Sequence, residues 1–128
     1  MKIEKKNGKF YFRAEVCEAG AVDHNGVTFS REAIEGMVDR TQLKSFNTDQ
    51  YIVEDAVFDG RYFDIICYTA DTSPGRELRE KLEKEPEKYT MSMTISTKKS
   101  NVREVGSIVM IEQCDLDGLA VIAEDRKA

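Results

Sequence analysis

Three residues of this chain carry side chains that could perform nucleophilic chemistry together. Ser92 lies in a strand-like run over residues 89–96, Glu112 is an acid within an apolar stretch, and His24 is the only histidine among 128 residues. A serine hydroxyl becomes an effective nucleophile when a neighbouring base takes its proton and an acid orients that base. We therefore predict a catalytic set, with Ser92 as nucleophile, His24 as base and Glu112 as orienting acid, only if the fold brings His24 to Ser92.

Each of these residues also has a simpler interpretation. Ser92 alternates with Met91 and Met93, as a residue on the solvent side of a strand does. Glu112 fits the polar side of an amphipathic strand, and His24 directly precedes Asn25-Gly26, a strong turn signal that favours an exposed loop. The residues alone leave open a protein that cleaves and a protein that binds or assembles.

The composition is typical of a folded globular domain. Hydrophobic residues make up 41% of the chain and charged residues 34%, so we predict a single domain over residues 1–128 with an ordered core at about 9–123. A net charge of −5 argues against nucleic acid as a partner, because phosphate binding needs a basic surface. The longest apolar runs are too short to cross a bilayer and no signal peptide is visible, so we expect no membrane association.

No motif of the chain indicates a cofactor or a metal ion. The sequence contains no phosphate-binding glycine loop and no nucleophile elbow, and its three cysteines lack metal-ligand spacing. We expect these cysteines as reduced thiols in or near the core. The acids Asp55, Asp59 and Asp64 lack the spacing of a calcium loop and are interpreted as solvated charges.

The apolar pattern and the turn signals predict two helices and a series of strands. Ser30 is the expected N-cap of a helix over residues 31–40, and Ser73 with Pro74 is expected to open a second helix over about 75–84. Strands are predicted at 9–18, 51–58, 61–69, 89–96, 107–116 and 119–123, with turns at Asn25-Gly26, Asp59-Gly60, Ser100-Asn101 and Asp117-Gly118. These elements predict an α+β fold, a mostly antiparallel sheet or open β-barrel of about six or seven strands with two outer helices.

The order of the segments resembles the prohead protease family of tailed bacteriophages, the capsid maturation proteases whose fold is similar to that of the herpesvirus assembly protease. The likeness covers most of residues 10–123. It rests on the loop and helix entry from Val22 to Ile34, on Met91-Ser92-Met93-Thr94, and on Ile111-Glu112-Gln113-Cys114-Asp115-Leu116. The resemblance implies a prohead-protease-like fold in which Ser92 matches the family's serine nucleophile and Glu112 its acid.

The family's catalytic histidine has no counterpart in this chain. The resemblance places that histidine between the first helix and the following hairpin, and here this segment, residues 41–50, contains none. His24 lies in an earlier loop, which is not the family's base position. Because a serine without its base loses several orders of magnitude in rate, the resemblance implies a domain with impaired protease activity.

Three hypotheses follow. The first is a phage or prophage protein with a catalytically impaired prohead-protease-like domain, which acts in head assembly as a structural or scaffold-associated subunit. The second is an active serine endopeptidase that uses Ser92 to process capsid or scaffold proteins, with His24 recruited from its loop or supplied by a neighbouring subunit. The third is an unrelated small α+β protein-binding module.

The first hypothesis also carries expectations about partners and location. It implies capsid or scaffold proteins as partners, bound through strand edges or through the second helix, and it leaves a homo-oligomer open. It places the protein in the cytoplasm of the bacterial host or on the prohead or virion.

Overall fold

The computed structural model describes residues 1–23, 25–40 and 43–124, and within them the chain forms nine strands and two α-helices. The strands are β1 (Lys2–Lys6), β2 (Lys9–Glu18), β3 (Val27–Phe29), β4 (Tyr51–Phe58), β5 (Tyr62–Thr69), β6 (Tyr89–Ser96), β7 (Val102–Val105), β8 (Ile108–Ile111) and β9 (Asp115–Ala123). The helices are α1 (Arg31–Arg40) and α2 (Ser73–Lys84), and short 3-10 helices lie at Leu43–Phe46, Pro86–Lys88 and Lys99–Asn101.

These strands form three sheets, with the orders β1–β2–β5–β4, β3–β8–β7 and β6–β9. All neighbouring pairs are antiparallel except β3 and β8, which run parallel. The α+β prediction and the mostly antiparallel character are therefore confirmed. The barrel is not, because none of the three sheets closes on itself within the described chain.

The main core lies on one face of the four-stranded sheet. Alternate side chains of β2 and β5 point to this face, as the period of two in their sequences predicts. Six of them are at most 2% exposed: Phe10, Phe12, Ala14, Phe63, Ile65 and Cys67. The two helices and β6 lie against this sheet or its neighbours and exclude water from these side chains.

Helix α1 forms as the sequence predicts. The Ser30 hydroxyl accepts a hydrogen bond from the backbone N–H of Ala33 at 3.1 Å, which satisfies one of the unpaired donors at the helix start. The predicted apolar stripe faces the core, with Ala33, Ile34 and Met37 almost fully buried and Val38 half-buried.

Helix α2 begins two residues earlier than predicted, and its cap is a different residue. Thr72, not Ser73, is the N-cap, because the Thr72 hydroxyl accepts a hydrogen bond from the backbone N–H of Gly75 at 3.0 Å. Pro74 lies in the first turn, where its missing N–H costs no hydrogen bond. The predicted contact residues Leu78 and Leu82 are buried, and most other side chains of α2 face solvent.

The sequence prediction missed three strands. Strand β1 pairs with β2 across Asn7 and Gly8, which have φ of 53° and 74°, the positive values of a two-residue hairpin turn. The charge of β1 hid it, although Asn-Gly is the strongest short hairpin signal. The other two are β3, whose pairing with β8 is non-local, and β7, which turns at Gly106-Ser107 into β8.

The predicted strand at 107–116 forms but is shorter than predicted, and the predicted turn at Asp117-Gly118 is wrong. Strand β8 ends at Ile111, and β9 starts at Asp115 and runs through Asp117 and Gly118. Thr94 pairs with Gly118 whereas Ile95 pairs with Leu116, so Asp117 is an extra residue that bulges out of β9. The bulge absorbs the turn-like residues without ending the strand.

A buried tyrosine connects the four-stranded sheet to the β6–β9 pair. Tyr51 on β4 is 1% exposed, and its hydroxyl donates a hydrogen bond to the backbone carbonyl of Leu119 on β9 at 2.9 Å. Burial, with a smaller contribution from the charge of Cys67, raises the pKa of Tyr51 to about 12. The tyrosine therefore stays neutral and holds the two sheets together at physiological pH.

We expect Gly75→Ala to destabilise the protein by about 2 kcal/mol or more. A Cβ atom at this buried position would collide with the backbone of Ala70, whose carbonyl carbon would lie 2.7 Å away. Gly118→Ala is the matched control, since a Cβ there would meet Thr94 at an ordinary 3.7 Å, and we expect a change below about 1 kcal/mol. Urea unfolding measures both, and equal losses would contradict the assigned close approach.

We expect Tyr51→Phe to lower the free energy of unfolding by about 1–3 kcal/mol, because the Leu119 carbonyl loses its donor. The variant should also change the response to alkali. Between pH 10.0 and about 12 the unfolded chain releases the Tyr51 proton and the folded chain keeps it, so stability falls as pH rises through this window. Unfolding curves at several pH values measure the free energy of unfolding, and its decrease over this pH window should be smaller in Tyr51→Phe than in the wild type. The same pH dependence in both proteins would contradict the pKa assignment.

Candidate functional site

Ser92 lies in the wall of a groove of about 680 Å³ between the end of β2, the loop that precedes β3, and the β6–β9 pair. The apolar part of the wall comes from side chains of all these elements. Its polar part consists of a hydroxyl, a thiol, an amide and carboxylates. The polar residues are Ser92, Cys17, Asn25, Glu15, Glu18, Asp23 and Glu124.

The position of Ser92 follows from the pairing of its strand. Strand β6 has the bounds that the sequence predicts, and Met91, next to Ser92, is fully buried in the core. Ser92 is half-buried, and the residue opposite it on β9 is Ala120. The hydroxyl therefore lines the groove, but its cross-strand neighbour has no side chain that could orient or deprotonate it.

Two of the four groove carboxylates already have partners. The Asp23 carboxylate accepts hydrogen bonds from the backbone N–H groups of Asn25 and Val27 at 2.8 and 3.0 Å, which shapes the loop. Glu18 forms an ion pair with Arg61 at 2.8 Å, and this pairing raises the pKa of the guanidinium. Glu15 and Glu124 form no ion pair with a described residue, so their charges face the groove and its solvent.

A β-bulge directs the end of β2 toward this groove. Glu15 pairs with Asp64 and Cys17 with Phe63, so Val16 is an extra residue without a partner on β5. A bulge bends its strand and increases the local twist. Here the bulge brings the consecutive residues from Glu15 to Glu18 to one wall of the groove. In a regular strand these residues would alternate between the two faces of the sheet.

Glu112 is not among the described residues that line the groove. It follows the last residue of β8, and its carboxylate forms an ion pair with Arg103 on β7 at 3.1 Å. Its backbone carbonyl accepts a hydrogen bond from the hydroxyl of Ser30, the cap of α1. The structure thus gives Glu112 a place at the junction of β8 and α1 and does not bring it into the groove with Ser92.

His24, the third predicted site residue, lies outside the described residues. Its neighbours Asp23 and Asn25 both line the groove that contains Ser92. The catalytic set of Ser92, His24 and Glu112 therefore stays a prediction.

Comparisons with known proteins address the fold. The chain is similar to the solved structure of the bacteriophage T4 capsid assembly protease, gp21, with a TM-score of 0.56 over 90% of this chain and 81% of that chain. The chain has a capsid-assembly-protease-like fold. The two sequences are 12% identical, so the likeness concerns the fold alone. No protein-family model and no curated protein matches the sequence.

Sequence reasoning found Ser92 but not the residues around it. The acids Glu15, Glu18 and Asp23 lie on a strand end and a loop, where charged residues are usually solvated, and no motif sets them apart. Their convergence depends on the bulge at Val16 and on the packing of β6 beside β2, both of which are non-local.

No helix of the described chain is long and apolar enough to cross a membrane.

We expect Glu112→Gln to change the free energy of unfolding by less than about 1 kcal/mol, because both partners of the Arg103 ion pair are well exposed to solvent. Asp64→Asn is the contrasting variant, since Asp64 is only 17% exposed and holds Arg13 at 2.6 Å. We expect the larger loss there. Denaturant unfolding measures the loss of stability in both variants. A larger loss in Glu112→Gln than in Asp64→Asn would contradict the prediction.

Proposed function

We propose that this chain is a phage or prophage protein with a capsid-assembly-protease-like domain, impaired as a protease, that acts in head assembly as a structural or scaffold-associated subunit. The observation that carries the proposal is the surroundings of Ser92. Its cross-strand neighbour is Ala120, and the described ionisable groups of its groove are carboxylates and one thiol.

Such a groove is poorly suited to activate a serine. A carboxylate is a weaker base than an imidazole, so it takes a proton from a hydroxyl far less readily. The negative charge of Glu15 and Glu124 also opposes the oxyanion that forms during acyl transfer, which needs hydrogen-bond donors or positive charge. The absence of histidine from residues 41–50, where the family resemblance expects the base, supports the same conclusion.

One observation favours a second candidate, an active serine endopeptidase. Asp23 and Asn25, the two neighbours of His24 in the sequence, line the same groove as Ser92. In this alternative His24 is the base and Ser92 the nucleophile, and the substrates are capsid or scaffold proteins. The two candidates differ in whether Ser92 reacts.

We expect no adduct at Ser92 when the protein is incubated with a fluorophosphonate probe between about pH 6 and about pH 9, the range in which an imidazole base becomes neutral. Intact-mass spectrometry measures the adduct. The set comprises the wild type, Ser92→Ala, His24→Ala and the control Ser96→Ala, a serine at the exposed end of the same strand. A wild-type adduct that is lost in Ser92→Ala and His24→Ala but kept in Ser96→Ala would establish the second candidate.

The assembly role has its own measurement. Co-expression with the capsid and scaffold proteins of the same genome should give a complex with one of them that persists in Ser92→Ala, and no cleavage fragment that depends on Ser92. If no complex forms with either protein, the assembly role is wrong even where the probe finds Ser92 unreactive.

A further inference from the structure

The outer edge of β1 has backbone groups that no other described segment covers. The two-residue turn Asn7-Gly8 makes Lys6 and Lys9 the hydrogen-bonded pair that closes the hairpin. Because hydrogen-bonded and non-hydrogen-bonded pairs alternate along an antiparallel ladder, Glu4 bonds to β2 and Ile3 does not. The N–H and C=O groups of Ile3 and Lys5 therefore point away from the sheet, toward an edge where no described residue accepts or donates.

The opposite edge of the same sheet is closed. On β4 the Val53 N–H donates to the Asn47 side chain at 2.8 Å, and the Tyr51 carbonyl accepts from the Thr48 N–H at 2.9 Å. Farther along, Glu54 is an extra residue without a partner on β5 and interrupts the ladder, and the Asp55 carboxylate accepts a hydrogen bond from the N–H of Ala56. Among the described residues, the β1 side is therefore the regular and open edge of this sheet.

The sequence of β1 fits a second copy of itself. In an antiparallel pair of two identical strands, a two-fold axis at a given residue sets that residue opposite its own copy. Ile3 is the one uncharged residue of Lys2–Lys6, so an axis at Lys2, Glu4 or Lys5 would bring like charges together. An axis at Ile3 instead sets Ile3 against Ile3, and Lys2 against Glu4 of the second copy on both sides.

The hydrogen-bonding phase agrees with this register. Ile3 has outward backbone groups, so an axis at Ile3 makes it a hydrogen-bonded pair, and Lys2 and Glu4 then form non-hydrogen-bonded pairs, whose side chains approach most closely. Neither Lys2 nor Glu4 has an ion pair within the described chain. Lys2 lies opposite Arg13, whose charge is paired with Asp64, so the charge of Lys2 itself has no carboxylate partner there. The carboxylate of a second copy compensates this charge.

The edge strand β7 does not have this property. Strand β7 turns at Gly106-Ser107, so its outward groups belong to Val102 and Glu104. The Val102 N–H already donates to the carbonyl of Lys99, so an axis at Val102 lacks this donor. An axis at Arg103 or Glu104 sets that charged residue opposite its own copy. Self-pairing is therefore favoured at β1 and not at β7.

We propose that β1 is the interface of a symmetric homodimer, in which two copies of this chain join their four-stranded sheets edge to edge with the two-fold axis at Ile3. Lysines on an edge strand usually discourage pairing with another strand. Here Lys2 lies opposite Glu4 of the second copy, so the charges favour this partner and this register over others. The interface does not depend on whether Ser92 reacts, so it stands or falls separately from the proposed function.

The test uses charge exchange on the whole chain, with any purification tag at the carboxyl end. Lys2→Glu sets two acids against each other on each side of the axis, and Glu4→Lys sets two lysines there. Each variant should raise the dissociation constant about tenfold or more at low salt. An equimolar mixture of the two variants restores both ion pairs and should dimerise as the wild type does. Lys6→Glu is the control, because Lys6 lies on the same face beyond the paired register.

Sedimentation velocity measures these equilibria. A contact made by two five-residue strands is expected to bury less than the ~1,200 Å² of a stable interface. The dimer is therefore expected in the micromolar to millimolar range, and the concentrations should reach about 1 mM. Restored association in the mixture, together with an unchanged Lys6→Glu, supports the interface. A wild type that stays monomeric, or a dimer that none of the charge changes affects, overturns it.

Discussion

Burial of one face of the β2–β5 pair is the constraint on which the rest of this structure depends. Each large apolar side chain on that face contributes roughly 1.5–3 kcal/mol when it leaves water, and the contribution is realised only if other elements cover it. Helix α2 covers part of the face with Leu78 and Leu82, and β6 lies beside β2 with Met91 in the same core. The strand that carries Ser92 is thus held by this packing and by its antiparallel pairing with β9. The hydroxyl of Tyr51 in turn connects β9 to β4.

The groove is a consequence of the irregularities that this packing requires. In a regular β2, the alternation of side chains would direct Glu15 and Cys17 to the face opposite the core. The extra residue Val16 bends the strand, and the loop before β3 closes the wall with the Asp23 turn. The polar groups around Ser92 therefore meet because the sheet must curve around its core, and their chemistry is decided separately by the residue types at these positions.

The local signals of the sequence predicted the elements that they specify. The α1 cap at Ser30, the contact residues of α2, and the bounds of β2, β4 and β6 follow from periodicity, capping and turn chemistry. What the sequence did not predict is non-local. The parallel pairing of β3 with β8 and the bulge at Asp117 depend on which strands meet, so a turn-like Asp-Gly pair stayed inside a strand. For the site, the strand position of Ser92 was predictable, whereas the ion pair that occupies Glu112 was not, because Arg103 lies on a strand that no pattern revealed.

Fold and chemistry are separable in this molecule for a physical reason. Residues in the core determine the fold by volume and polarity, and many combinations satisfy these requirements, which is how a fold persists at 12% identity to the capsid assembly protease. The polar residues of the groove wall are half-buried or exposed, so replacing one of them costs little stability and leaves the fold intact. Core packing fixes the position of Ser92 through its strand. The polar residues around Ser92 in the groove are subject only to the weaker constraint on the groove wall. A capsid-assembly-protease-like fold therefore describes the frame of this chain, and its chemistry depends on the residues that the chain itself places in that frame.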